Sequence, residues 1–95
     1  MNTLRNRLEN FSYKNQKIPG SLIQGIENYL SSGILPGDFL KSVISNNLLN
    51  TYLYADENNI KVIAVCIIFF YNEAPPNSWG SKEKMQAWQR LYHYE

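Results

Sequence analysis

The chain is poor in the residues that carry chemistry. It holds one histidine, His93, and one cysteine, Cys66, among 95 residues. That excludes a zinc site built on several histidines, and it leaves no basis for a Ser–His–Asp triad. There is no H-E-x-x-H, no C-x-x-C, no Walker lysine motif and no G-x-G-x-x-G. Gly33 and Gly37 have G-x-x-x-G spacing, but they flank a helix end and lack the long apolar helix that motif needs. A single cysteine allows no intrachain disulfide, which suits a reducing cytoplasm. Cys66 lies within "VIAVCIIFF" and reads as a small buried hydrophobe, not a reactive thiol. No excess of charge exists either, since nine basic side chains meet eight acidic ones. Such a balance lacks the field that drives nonspecific nucleic-acid binding. Long apolar runs are missing as well. The longest spans about ten residues, roughly half a membrane span. Residues 1–11 carry no apolar segment of the signal-peptide kind. A cytoplasmic protein with no membrane contact, no metal and no cofactor is expected.

The acidic residues offer little more. Asp56 and Glu57 are adjacent, so on a helix they point apart and make a poor acid–base pair. Asp56 and Asp38 read as helix caps. Nothing in the spacing of the carboxylates calls for a metal. No enzyme is expected.

What is present is enough apolar material for a core, with 44% hydrophobic and 18% charged residues. One domain, residues 1–95, is expected. The punctuation divides helices, and the fold class expected is all-α: a compact bundle of about five short helices. Leu4, Leu8 and Phe11 make the stripe of a first helix. Residues 1–17 are basic, with Arg5, Arg7, Lys14 and Lys17 against Glu9 alone. Loose attachment of the domain is expected there if anywhere, either as a solvated face or as an arm for an acidic partner. A second helix is expected from a Ser21 cap, with Gln24 at capping-box spacing, to Gly33 as its left-handed stop. A third starts near Gly37 or Asp38 and breaks at Asn46–Asn47, since asparagine favours caps and turns. "LLNTYLYAD" resumes with Leu48, Tyr52 and Ala55 at helical spacing.

Residues 57–72 have the composition of a strand and the pattern of a helix. Ile60, Ile63, Ala64, Ile67 and Tyr71 fall at helical intervals, and the other side is apolar too. A lone strand would lack a partner. A central apolar helix is therefore expected, ended by Pro75 and Pro76. A last helix from about Ser81 carries Met85, Trp88, Leu91 and Tyr92.

Seven tyrosines are the oddity of the composition. Their rings can be hidden while their hydroxyls stay polar, which suits a core rim or a contact surface. The stretch "NEAPPNSWGS" isolates Trp79 between two helix ends, either as a peg on the core or as a binding residue. The candidate binding residues are Trp79, Tyr71, Asn72, Asn46, Asn47 and Tyr54. Aromatic faces stack on bases and amides read base edges, so a nucleotide-type ligand held at the subunit junctions of a homo-oligomer is one reading.

The layout G-I-x-P-G-x-F-L from Gly33, the pair Ala55–Asp56, and Y-N-x-A-P-x-x-x-W-G-S-x-E-K from Tyr71 to Lys84 resemble a family of small proteins encoded by tailed phages and prophages. The likeness covers roughly residues 18–90. The layout marks a family and not a chemistry. Position 47 is more often acidic in that pattern, where this chain has Asn47. Similar segments carry polar residues at helical intervals across 57–72, which favours helix there. The resemblance implies an accessory protein acting in the host cytoplasm. It would bind and antagonise a host protein or defence system, in the manner of anti-CRISPR proteins. The alternative it implies is an oligomeric sponge for a nucleotide signal. A nucleic-acid-binding module led by the basic first helix is a further reading, and the near-zero net charge argues against it.

Overall fold

The first twenty residues depart from a purely helical chain. The computed structural model describes residues 3–93. Thr3 caps helix α1 (Leu4–Asn10), its hydroxyl accepting from the Asn6 backbone N–H at 3.1 Å. The chain then extends through Phe11 and forms a two-stranded antiparallel hairpin, β1 (Ser12–Tyr13) and β2 (Gln16–Lys17), with Tyr13 opposite Gln16. Lys14 and Asn15 both take positive φ, 51° and 67°. Two such residues make the tight turn whose twist matches a hairpin, and asparagine enters that region readily. The all-α expectation is thereby corrected to mostly helical with one small hairpin. The expected helix over 1–17 shrinks to seven residues, and its positions 1 and 2 lie outside the described residues.

Helix α2 (Gly20–Ser32) starts one residue before the expected cap. Pro19 holds the cap position, and its carbonyl accepts from Leu22 and Ile23. The capping box at Ser21 and Gln24 does not form; Gln24 instead bonds Asn28 and Arg5. The far end is as the sequence predicts. Gly33 sits at φ 67° and donates to the Tyr29 carbonyl at 2.9 Å. A Cβ there would lie 2.8 Å from the Tyr92 ring, so glycine is needed for space as well as for conformation.

Helix α3 (Asp38–Ile44) and helix α4 (Leu48–Tyr54) form a short helical hairpin. The break falls at the paired asparagines. Asn46 takes the left-handed conformation, φ 60°. The Asn47 side chain accepts from the Asn50 N–H at 3.0 Å and caps α4. Asp56 likewise accepts from Asn59 at 2.7 Å and opens a 3₁₀ turn, Asn59–Val62.

Helix α5 (Ile63–Glu73) comes directly after it, so the segment expected as one helix over 57–72 is a 3₁₀ turn and a helix. Ile63, Val65, Cys66, Phe69 and Phe70 are buried, whereas Ala64 and Tyr71 face solvent. A helix apolar nearly all round is expected to be enclosed all round, and this one keeps an open side. A second 3₁₀ turn (Pro76–Ser78) leads to helix α6 (Lys82–His93), capped by the Ser81 hydroxyl, which accepts from Lys84 at 3.0 Å. Met85 and Trp88 of α6 are buried, but Leu91 and Tyr92 on the expected stripe are exposed. The core runs from Leu8 and Ile18 through α2, α3 and α5 to Trp88. No described helix is long and apolar enough to cross a membrane.

Candidate functional site

The stretch from Pro75 to Ser81 is where four helices are tied together. The Tyr29 hydroxyl of α2 donates to the Ser78 carbonyl at 2.6 Å, fully buried. The Trp88 indole N–H of α6 donates to the Tyr29 carbonyl at 3.0 Å. The Gly80 N–H donates to the Ile44 carbonyl at the end of α3, at 2.8 Å. Trp79 packs its ring on Phe70 of α5, with centroids 6.0 Å apart. Tight turns leave backbone groups unpaired inside, and these bonds give such groups partners where the turn meets the core. Burial pushes the Tyr29 phenol well above its usual range, so it stays a proton donor. Trp79 is half-buried in this knot and serves as a packing residue.

The six candidate residues do not converge on one site. Tyr71 and Trp79 border a shallow cleft of about 280 Å³ with Pro76 and Lys84. Asn47 and Tyr54 border a different one of about 270 Å³, with Lys41, Asn50 and Lys82. Asn46 occupies the turn between α3 and α4, and Asn72 is exposed on α5. Asn47 is in part spoken for by its capping bond.

The remaining chemistry is muted. Burial pushes the Cys66 thiol up to about 12, which keeps it protonated and unreactive. Among the described residues, no group of three or more His, Cys, Asp or Glu side chains could hold a metal ion. The basic residues of α1 are engaged. Arg5 lies 3.3 Å from Glu27 and donates to Gln24, and Arg7 lies 3.3 Å from Glu73. Each of these arginines has its charge answered within the fold.

The feature that sequence reasoning missed is the outer face of α4. Leu48, Leu49 and Leu53 are 69%, 68% and 67% exposed, and Tyr52 is 52% exposed. At about 100° per residue these four positions fall within roughly 140° of helix arc. Thr51 alone of this helix is buried. Leu48 and Tyr52 have core-like spacing in the sequence, yet they point outward. One signal marks the place: no charged residue occurs between Lys41 and Asp56. A solvated helix face normally carries charge.

The chain matches no protein-family model, no curated protein and no solved structure.

Proposed function

We propose that this chain is a non-enzymatic binding protein that works through protein–protein contact, with the outer face of α4 as its contact surface. The observation that carries this reading is the cluster of three leucines and a tyrosine, all at least half exposed on one helix. Large apolar side chains gathered in solvent mark interaction surfaces, whereas single ones are ordinary. Uncharged amides border the cluster at Asn46, Asn47 and Asn50, which fits the apolar centre and polar rim of a protein interface. The resemblance of the sequence layout to that of small phage and prophage proteins supplies the setting. In that setting the role is antagonism of a host protein or defence system in the host cytoplasm.

A sponge for a nucleotide signal is the second reading. It is favoured by the cleft that joins Lys82, and Lys41 with its ion-pair partner Asp38 at 3.6 Å, to Asn47 and Tyr54. Lysine ammonium groups suit phosphates and the tyrosine ring suits a base. The cleft is smaller than a typical ligand pocket of roughly 300–1,000 Å³, so it would serve as part of a shared one. A nucleic-acid-binding role has less behind it, since Arg5 and Arg7 are paired with Glu27 and Glu73.

The test is cross-linking in cells. Benzoylphenylalanine replaces Tyr52, and the cross-linked species are identified by mass spectrometry. The contact reading expects a protein joined at that position, and the same label at the exposed Lys61 to give none. No protein cross-link at position 52 overturns it. In parallel, phage plating on hosts carrying defence systems is expected to rise with the wild-type chain and not with a Leu49→Lys/Leu53→Lys chain.

A further inference from the structure

The partner of the α4 face can be named from its chemistry. We propose that this face pairs with the same face of a second copy of the chain, in a two-fold dimer; the proposal rests on reading α4 as a protein contact surface. A two-fold interface sets one patch against itself, so each side chain meets copies of its own neighbours. Charged residues on such a patch repel their copies. Here there are none from Ser42 to Ala55. A heterologous partner is usually selected by charge complementarity, and this stretch offers no charge to select with. Leucine and tyrosine pack against their own kind. Asparagine both donates and accepts, so the exposed amide at Asn46 is complementary to its own copy as well. The apolar centre of the patch therefore satisfies the condition that an isologous contact imposes.

The area agrees with this. Three leucines about two-thirds exposed and one half-exposed tyrosine present on the order of 400 Å² of apolar surface, within the ~300–600 Å² span of the largest patch of a monomer, where such patches are often functional. Two copies bury roughly twice that, about half of a standard interface of ~1,600 Å². The pairing is therefore a small, weak one. Homodimer interfaces are the more apolar class, which matches a centre made of leucine and tyrosine. Among the described residues, no segment covers the face.

Pairing has a consequence for the cleft beside α4. Asn47, Asn50 and Tyr54 border that cleft, and they lie on or next to the helix that pairs. Each copy carries its own cleft of this kind, with Lys41 and Lys82 beside Asp38.

The decisive experiment uses the purified chain alone, by sedimentation equilibrium and native mass spectrometry. The wild type is expected to be a dimer at concentrations on the order of tens of micromolar, as for a weak interface below the standard size. Leu49→Lys/Leu53→Lys and Leu49→Glu/Leu53→Glu chains are each expected to be monomers with unchanged helical circular dichroism, because both leucines are solvent-facing. An equimolar mixture of the two is expected to form a heterodimer, since opposite charges then meet across the axis. A wild type that stays monomeric up to a hundred-micromolar order overturns the proposal, as does a dimer that both charged variants leave intact. A monomer whose position-52 cross-link in cells holds a different protein refutes the second copy and leaves the contact reading standing. A monomer with no protein cross-link refutes both.

Discussion

Removing one oxygen atom tests whether the Pro75–Ser81 stretch is a structural knot. Tyr29→Phe deletes the hydroxyl that donates to the Ser78 carbonyl at 2.6 Å and leaves the ring in place. The site is dry, since Tyr29 and Ser78 are both fully buried. Two effects add. A typical intramolecular hydrogen bond contributes a net of about 1 kcal/mol, and a buried acceptor left unpaired costs roughly 1–3 kcal/mol of desolvation. The ring still fills its space, so no cavity term enters. A loss of about 2 kcal/mol is expected. For a domain of this length each kcal/mol moves the midpoint by roughly 4–8 °C, so Tm should fall by about 8–16 °C. The assay is thermal unfolding by circular dichroism, with urea unfolding to confirm an unchanged m-value. Tyr71→Phe is the control, because that ring is exposed on α5 and should leave Tm unchanged. A Tm drop under about 2 °C for Tyr29→Phe would refute the reasoning, for it would mean that water reaches Ser78 or that the turn rearranges at no cost.

Two further predictions concern the same core. Trp79→Ala should lower stability by about 2–4 kcal/mol through lost packing on Phe70, with α4-mediated association unchanged in the folded fraction; unaltered stability with lost association would make Trp79 a contact residue instead. Alkaline titration should destabilise the protein. Burial holds the Cys66 thiol at about 12 against an ordinary 9.0, and it raises the Tyr29 phenol above its ordinary 10.0. The unfolded chain therefore releases these protons first, so the contribution of these two groups is flat below pH 9 and falls above it, by about 1.4 kcal/mol per pH unit for each group in its window. Cys66→Ala should remove the part of the fall that begins at pH 9; the same pH dependence in that variant would show that the thiol is not its source.

Much of the fold is legible in the sequence because its signals are local. Gly33 ends α2 since the left-handed conformation suits glycine, and Asn46–Asn47 breaks α3 from α4 since asparagine can turn the chain and cap the next helix. The helical reading of the Ile/Val/Phe run rests on the want of a strand partner, and the segment is helical. The hairpin at Ser12–Lys17 is hidden from such reasoning because each strand is two residues long, too short for a period to register. The candidate site is less legible. Tyr71, Trp79, Asn47 and Tyr54 look alike as aromatic and amide residues, but two clefts divide them and one of them packs the core.

By itself the sequence determined the element types, the breaks between them and the scarcity of catalytic groups, since propensity, capping and composition act over a few residues. Only the tertiary structure decided which apolar stripes were used. Leu48 and Tyr52 have the same helical spacing as Leu22 and Ile26, yet α2 turns its stripe inward and α4 turns its own to solvent. Spacing shows that a helix has an apolar side. Which neighbours are near enough to cover that side depends on how the other helices pack, and around α4 only the Thr51 side is covered.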